Sequence, residues 1–464
     1  MMLSFHGADQ AVTGSCHRLS AGGLEILVDC GLYQGSGEIR DDNDGPFGFE
    51  PGGIDVLLLT HAHLDHCGRI PLLVKQGFRG GIVATAATRE LARLVLLDAA
   101  HMQEEEAKHA GQRAGRRGAA PPEPLYTIAD ATWCFDRLGR TVEYGKPLPL
   151  NDAVTATFID AGHIVGSASI VVDVKETQGR RRIVFSGDIG SPGHPIVRDP
   201  VPPPPADYVV METTYGDRVH RSLQDSVDEL WQAVADALQR GGNAIIPTFA
   251  LERSQEVLFF LRQGIERGRL PRGLPVFVDS PMAISATEIM RRHPECFDDE
   301  ALRALAAGDP FAVPGMRFVR ETKDSMALNR VAGGAVIMAG SGMCTGGRVR
   351  HHLRHNLWRA QSSVIFVGYA AQGTLARQII DGAGTVYIFG EPVQVKARVH
   401  TINGFSAHAD RDELLAWHAA TGRPRTTYLV HGDPDRGMKA MAELLAQRQC
   451  STMQPTPQQR VLLD

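Results

Sequence analysis

Residues 57–68 of this 464-residue chain read LLLTHAHLDHCG, and this stretch is the most informative part of the sequence. The apolar run of residues 54–59 predicts a buried strand, so the polar cluster that follows lies on the loop at the strand's C-terminal end. Imidazole nitrogens and carboxylate oxygens are ligands suited to Zn²⁺, with Mn²⁺ or Fe as alternatives. The cluster consists of His61, His63, Asp65 and His66.

The spacing of these residues favours two metal ions over one. His61 and His63 are two positions apart and can converge on one ion, while Asp65 and His66 can face a second ion beside it. The pattern also lacks the Glu that lies between two ligands in the HExxH motif of helical metalloproteases. Two-metal hydrolysis is therefore a better interpretation than one-zinc peptide cleavage.

Composition describes a soluble globular protein with more than one domain. The chain is too long for one ordinary core, and 43% of its residues are hydrophobic and 22% charged. The N-terminus lacks a basic segment followed by an apolar one, and no run reaches membrane-spanning length. Seven scattered cysteines are typical of reduced thiols. We therefore expect a cytoplasmic protein with no membrane partner.

The formal net charge of −5 gives no global signal for nucleic-acid binding. A local cleft is still compatible with it, because bound divalent ions add positive charge. Arginines also cluster at Arg348, Arg350 and Arg354. Aromatic residues make up only 6% of the chain, so the sequence predicts no extended platform for stacking bases.

The order of predicted elements indicates one domain inserted into another. The first part of the chain is rich in predicted strands, including residues 24–31, 81–85 and 154–160. After Tyr215, strands and helices alternate, which predicts a parallel α/β domain. The tail returns to short strands. The predicted elements of the α/β part are helices at 223–239 and 252–267 and strands at 243–247, 275–278, 336–339, 364–367 and 385–389.

Further candidate ligands follow predicted strands in the same manner. His163 and Asp188 lie in glycine-containing turns, and His431 ends a late strand. The two oxygens of Asp188 could bridge two ions, which lie about 3.5–4 Å apart in two-metal sites. Asp29 ends its own strand and could orient a ligating imidazole.

These motifs resemble those of the metallo-β-lactamase superfamily. Glu212, His408 and His431 further match motifs A, B and C of its β-CASP branch, whose members process nucleic acids. The resemblance implies an α/β fold, a four-layer αββα sandwich with an inserted parallel α/β β-CASP domain that caps the active site. It implies a first part of the sandwich at residues 1–213, the β-CASP domain at 214–391 and the closing part at 392–464.

The resemblance also assigns roles to the residues. It implies two Zn²⁺ ions per chain, with Mn²⁺ as the alternative. His408 would be the general acid, supported by Glu212, while Asp29 and Glu212 would orient water or ligands and Asp65 would count among both ligands and catalytic carboxylates. One ion would be held by His61, His63, His163 and Asp188, and the other by Asp65, His66, Asp188 and His431.

A glycine-rich loop at residues 338–348 is the candidate for substrate binding. It follows a predicted strand and precedes a predicted helix, where free backbone N–H groups can bind phosphate. Members of the β-CASP branch carry a similar loop as a phosphate contact. The candidate phosphate-binding residues are Ser341, Gly342, Thr345 and Arg348, together with Arg253 in the predicted helix at 252–267.

The resulting hypothesis is a metal-dependent ribonuclease that cleaves single-stranded RNA internally and also trims it from an end. Within the family, His at motif C accompanies RNA substrates, whereas DNA-repair members usually carry Val. The chain resembles short prokaryotic relatives of the cleavage and polyadenylation endonuclease subunit. The alternatives are a DNA-acting nuclease, a hydrolase of small esters or thioesters, and a silent scaffold. The large inserted domain disfavours a small substrate, and the complete ligand set disfavours a scaffold. The sequence leaves a homo-oligomer open.

Overall fold

The computed structural model describes residues 1–34, 43–115, 123–176, 179–368 and 370–464. The chain forms two compact units. Unit 1 comprises Met1–Gly193, Val197–Val219 and Ala407–Asp464, and unit 2 comprises His194–Ile196 and His220–Ser406. The chain therefore leaves unit 1, builds unit 2 and returns, as expected for an inserted domain.

Unit 1 contains two seven-stranded sheets. In spatial order, the strands of the first sheet are Arg460–Leu462, Met2–Phe5, His17–Ala21, Leu24–Val28, Val56–Leu58, Gly81–Thr85 and Arg140–Val142. Those of the second sheet are Thr452–Met453, Thr426–Val430, Tyr208–Glu212, Gly179–Phe185, Ala168–Glu176, Val154–Asp160 and Leu148–Pro149.

The main core of unit 1 lies between these sheets. Along Val154–Asp160, buried and half-buried residues alternate, because successive side chains of a strand point to opposite faces. Phe158 and Ile170 of the second sheet join Leu3 and Leu19 of the first in one buried cluster. Burial of apolar side chains between the sheets thus holds these strands in place. The candidate ligands lie at the ends of the same strands.

Helices cover the outer faces and complete a four-layer αββα arrangement, which confirms the expected fold. Ala86–Gly115 packs on strands of the first sheet. On the second sheet, Leu414 and Leu445 from two helices pack against Val209 and Leu429. The helices of unit 1 are Leu64–Cys67, Ile70–Lys75, Ala86–Gly115, Ile128–Cys134, Arg411–Ala420 and Lys439–Gln447, with single turns at Pro51–Gly53 and Pro434–Met438.

Unit 2 is built on a parallel six-stranded sheet, as predicted. Its strands in spatial order are Met316–Phe318, Val276–Val278, Val336–Ala339, Ala244–Pro247, Ser363–Val367 and Arg398–Ile402. Its helices are Leu223–Gln239, Arg253–Glu266, Pro281–Met290, Asp299–Ala307, Thr322–Leu328, Val349–Asn356 and Leu375–Ile380, with a single turn at Pro294–Cys296.

One predicted strand of this sheet lies elsewhere. Thr385–Ile388 pairs antiparallel with Glu391–Gln394 in a separate hairpin, because the two intervening residues cannot make the long crossover that parallel strands need. Arg398–Ile402 takes the edge position of the sheet. Unit 2 comprises His194–Ile196 and His220–Ser406, and the domain boundaries at residues 213 and 391 stay a prediction.

The core between the sheets supplies a stability prediction. Phe158 is fully buried, so Phe158→Ala should leave a cavity and lower the free energy of unfolding by about 3–5 kcal/mol. Urea denaturation followed by circular dichroism measures the shift. Trp133→Ala is the matched control, because Trp133 is 67% exposed and its loss should change the free energy by no more than about 0.5 kcal/mol. Equal shifts for the two variants would contradict this account of the core.

Candidate metal centre

The sequence-predicted ligands meet at strand ends in unit 1. His61 and His63 follow the strand Val56–Leu58, and His163 follows Val154–Asp160. Asp188 follows Gly179–Phe185, and His431 follows Thr426–Val430. Both sheets therefore contribute, and the ligands come from segments that are far apart in the sequence.

The first donor group consists of three imidazoles and one carboxylate oxygen. His63 Nδ1 lies 3.1 Å from His61 Nε2 and 3.2 Å from His163 Nε2. Asp188 Oδ2 lies 3.5 Å from both His61 Nε2 and His163 Nε2. All four donor atoms lie within 4.8 Å of one another, so a single cation could contact all of them.

The second donor group lies on the other side of the same carboxylate. His431 Nε2 is 3.2 Å from His66 Nε2 and 3.5 Å from Asp65 Oδ2. Asp188 Oδ1 lies 3.2 Å from His66 Nε2 and 3.6 Å from His431 Nε2. The two oxygens of Asp188 therefore face different donor groups, as the bridging role predicted for this residue requires.

The electrostatics suit metal binding. Burial lowers the pKa of His61 and His163 well below the usual value and that of His63 to about 4, despite the nearby carboxylates. These imidazoles are therefore neutral at physiological pH, with ring nitrogens able to donate lone pairs. Burial alone would raise the pKa of Asp188, but the surrounding imidazoles hold it well below the usual value.

His66 differs from the other three imidazoles. Burial lowers its pKa, but Asp188 and Asp29 more than offset that effect and raise it well above the usual value. In the metal-free protein, His66 is therefore a cation between two carboxylates. Because a ligating imidazole must be neutral, His66 would have to lose a proton if it held a metal ion.

An independent observation on Asp188 also suits metal binding by this donor set. Asp188 Oδ1 is buried and accepts no hydrogen bond from the described residues, although two imidazole nitrogens lie close to it. Buried carboxylate oxygens without a hydrogen-bond donor are rare in proteins, and such an atom is free to contact a cation. Nitrogen and oxygen donors in groups of three and four are typical of Zn²⁺ sites.

Asp29 positions His66, as the sequence suggests. Its Oδ2 lies 2.7 Å from His66 Nδ1, which leaves Nε2 of that ring directed at the donor group. Its Oδ1 accepts hydrogen bonds from the backbone N–H and the hydroxyl of Thr60, at 2.8 and 3.0 Å. Asp29 has a left-handed backbone (φ 60°), which Asp tolerates better than most residues.

Glu212 and His408 form a pair beside the donor groups. The Oε1 atom of Glu212 lies 3.1 Å from His408 Nδ1, and the Nε2 atom of that ring lies 3.8 Å from Asp188 Oδ2. Glu212 is fully buried and also accepts the backbone N–H of Ile189 at 2.8 Å. Burial lowers the pKa of His408, but Glu212 and Asp188 outweigh it and raise the pKa to about 9. His408 is thus a proton donor at neutral pH.

Sequence reasoning missed several residues that hold the imidazoles. Thr214 Oγ1 lies 3.0 Å from His431 Nδ1, and Thr60 Oγ1 lies 3.1 Å from His61 Nδ1. The backbone carbonyl of Ala407 lies 3.0 Å from His163 Nδ1. Such partners fix the ring orientation of a ligand. Their adjacency to the motifs was the only signal in the sequence.

The candidate phosphate-binding residues belong to unit 2 and follow the carboxyl ends of two central strands of its parallel sheet. Ser341, Gly342 and Thr345 occupy the loop after Val336–Ala339, and Arg253 begins the helix after the neighbouring strand Ala244–Pro247. A Cβ atom on Gly342 would lie 2.7 Å from the Phe249 ring, so a side chain at this position would have to displace that ring. The structure therefore places these residues on neighbouring segments.

The two arginines of this set are both engaged. Arg348 donates to Asp279 Oδ1 at 2.7 Å and to the backbone carbonyls of Val319 and Arg320 at 3.0 and 2.6 Å. Arg253 forms an ion pair with Glu256. Arg348 thus links the ends of two neighbouring strands, Val276–Val278 and Met316–Phe318. A role for either arginine in phosphate binding stays a prediction.

Three family models match the chain. The model described as the Metallo-beta-lactamase superfamily matches residues 11–247, and the Beta-Casp domain matches residues 254–379. The model described as the Zn-dependent metallo-hydrolase RNA specificity domain matches residues 392–452. In the described part of the chain, no helix is long and apolar enough to cross a membrane.

Two curated relatives are similar over most of this chain. Ribonuclease TTHA0252 from Thermus thermophilus is 42% identical over 95% of this chain and 95% of its own length. Transcription termination factor FttA from Methanosarcina mazei is 30% identical over 92% of this chain. The match spans 66% of the length of that factor, so about a third of it has no counterpart here.

The fold is also found in a solved structure. The crystal structure of a protein of unknown function from Enterococcus faecalis V583 superimposes with a TM-score of 0.57 at 12% identity. The match covers 100% of this chain and 99% of that chain. At this identity the likeness shows the shared fold alone.

The Asp29–His66 contact leads to a prediction about metal affinity. Asp29→Asn keeps the shape and tolerates the left-handed backbone, but it removes the negative charge that holds His66. Metal affinity should fall about tenfold to a hundredfold, the range found when a group behind a ligand is altered. Competition with a chromophoric chelator measures this loss. Asp173→Asn is the control, because Asp173 pairs with Arg182 away from the donor groups. Unchanged affinity in Asp29→Asn would exclude the positioning role.

Proposed function

We propose that this chain, which belongs to the β-CASP branch of the metallo-β-lactamase superfamily, is a zinc-dependent ribonuclease that hydrolyses phosphodiester bonds of single-stranded RNA. The observation that carries the proposal is the pair of donor groups on either side of Asp188, with the protonated His408 beside them. The RNA specificity domain model and the ribonuclease relative support RNA as the substrate. Internal cleavage is the proposed activity, and the balance between it and trimming from an end is left open.

The metal ions are proposed to be two Zn²⁺, with Mn²⁺ as the alternative. The first would be held by His61, His63, His163 and Asp188, and the second by Asp65, His66, Asp188 and His431. When bound, such a pair supplies the Lewis acidity that activates water and offsets the charge developing on phosphorus. Burial would raise the pKa of Asp65, but the neighbouring His431 and His66 lower it to about 2. Asp65 is therefore ionised and available as a ligand.

His408 is proposed to protonate the leaving oxygen. Its Nδ1 is held by Glu212, so the opposite nitrogen, Nε2, points toward Asp188 and the donor groups. A general acid must carry its proton at the working pH and must lie within reach of the leaving group. Glu212 acts through His408 by fixing the orientation and the charge of the ring.

The biological setting follows from the same relatives. Cleavage of single-stranded RNA would serve RNA processing or decay, and the similarity to FttA extends this setting to transcript termination. The match spans 66% of the length of FttA, so the shared setting rests on that part of the factor alone. We propose a cytoplasmic enzyme whose partner is single-stranded RNA.

The substrate class is tested with end-labelled single-stranded RNA and matched DNA. Zinc-loaded protein should cleave the RNA internally and cleave the DNA much more slowly, because motif C carries His431 rather than Val. Denaturing gels resolve the products, and chelator treatment should abolish cleavage. Cleavage of DNA at an equal or higher rate would replace RNA by DNA as the substrate.

Metal content and activity should separate in single variants. His408→Ala removes the proton donor and should slow cleavage about 10²–10⁴-fold while leaving bound zinc near two per chain. His431→Ala removes a donor of the second group and should lower bound zinc toward one per chain. Elemental analysis of the purified proteins, beside single-turnover rates, measures both effects. Loss of zinc in His408→Ala would show that His408 is a ligand instead.

A further inference from the structure

Cationic and aromatic side chains meet on the outside of unit 2. Arg350, His351 and Arg354 lie on the helix Val349–Asn356, and Tyr387 and Phe389 lie on the hairpin that follows later in the chain. We call these five residues the Arg350–Phe389 surface. The sequence alone shows that Arg350 and Arg354 are grouped. It does not show that Tyr387 and Phe389 lie beside them, because that depends on the fold.

The helix carries a cationic face. Val349, His352, Leu353 and Asn356 are buried on one side, so the other side presents Arg350, His351, Arg354 and His355. The helix contains no Asp or Glu. Burial and then the neighbouring positive groups lower the pKa of His351 and His355, so these imidazoles are neutral and the charge of this face comes from Arg350 and Arg354.

The hairpin presents its aromatic rings to solvent. In Thr385–Ile388, Val386 and Ile388 enter the core of unit 2, so the alternate residue Tyr387 is 70% exposed. Phe389 and Gly390 form a two-residue turn in which both have a positive φ, 54° and 83°. An aromatic residue in that conformation is strained, and Phe389 is still 44% exposed. Burial therefore does not account for Phe389, and such strain is typical of functional positions.

The two elements already contact each other. The Arg350 Cζ atom lies 4.5 Å from the centre of the Phe389 ring, a distance typical of a cation–π contact. The His351 ring lies 4.5 Å from the same ring, tilted by 33°. Arg354 donates to Glu391 at 2.6 Å, but both side chains are 40% or more exposed, and such a pair is weak. A phosphate group could therefore take the place of Glu391.

We propose that the Arg350–Phe389 surface is a second contact for single-stranded RNA, separate from the loop at residues 340–348. The proposal rests on the ribonuclease function. Positive side chains beside exposed rings match a strand that offers phosphates and unstacked bases at the same time. In a duplex the bases are stacked on each other, so Tyr387 and Phe389 favour single strands. The proposed partner is therefore single-stranded RNA, bound through both its phosphates and its bases.

The test uses the double variant Tyr387→Ser, Phe389→Asn. Asn tolerates the left-handed turn, so the hairpin should persist, which circular dichroism and the melting temperature check. Loss of two stacking contacts should weaken binding of a long, labelled polyuridylate at least tenfold in fluorescence anisotropy, measured in the His408→Ala background to prevent cleavage. KM for a long RNA should rise by the same factor, whereas KM and kcat for a short oligonucleotide should stay unchanged.

A charge-reversal variant tests the contribution of the arginines to the Arg350–Phe389 surface. Arg350→Glu should reduce the slope of log affinity against log salt by about 0.7, the value for one phosphate contact on a single strand. Trp133→Ser and Arg303→Glu are the matched controls, since both residues are exposed and lie on other helices. Both controls should bind RNA like the parent protein.

The outcomes separate this proposal from the proposed function. If the parent protein cleaves RNA but the double variant binds and cleaves long RNA normally, the surface is not an RNA contact, and the nuclease function stands. If the parent cleaves no RNA yet binds it through this surface, the nuclease function fails instead. A change of oligomeric state in the double variant, without loss of RNA affinity, would identify the surface as a subunit interface and overturn the proposal.

Discussion

The carboxylate of Asp188 is the group on which the candidate site depends. It is buried, and each of its oxygens faces a different set of imidazole nitrogens. Removing a carboxylate from water is costly unless positive charge compensates it. In the metal-free protein the cationic His66 and His408 supply part of that charge. The same charge deficit is what two divalent cations would fill, so the residue that organises the site also creates the demand for metal.

The fold makes such a concentration of polar groups possible. Asp29 and His61 leave the first sheet, while His163, Asp188 and His431 leave the second. The apolar layer between the sheets holds both sets of strands in register, and the polar groups emerge only where the strands end. Left-handed backbone at Asp29 and His431 turns the chain immediately after its strand. Strand ends rather than helix faces therefore determine where the ligands point.

The candidate ligands could be picked out from the sequence because their chemistry is distinctive, and the structure brings them together. Three imidazoles and a carboxylate in six residues have few explanations other than metal, and the resemblance supplied the distant partners. Thr60 and Thr214 could not be predicted, because hydroxyls are common and their role depends on distances that only the fold sets. The strand Thr385–Ile388 was predicted to belong to the parallel sheet, but it pairs with Glu391–Gln394 in a hairpin, and the reason for this error is related. A short apolar run indicates a strand but does not determine which other strands pair with it.

The net charge of −5 illustrates why a sum over the chain is a poor guide to a nucleic-acid partner. Much of the negative charge lies in carboxylates that are paired, as Asp279 is with Arg348 and Asp173 with Arg182. What a strand of RNA meets is the local arrangement, and the helix Val349–Asn356 carries no acidic residue. Charge screening within about 8–10 Å at physiological salt makes that local arrangement decisive. An acidic protein can therefore hold RNA wherever its cations are grouped and its carboxylates are already engaged.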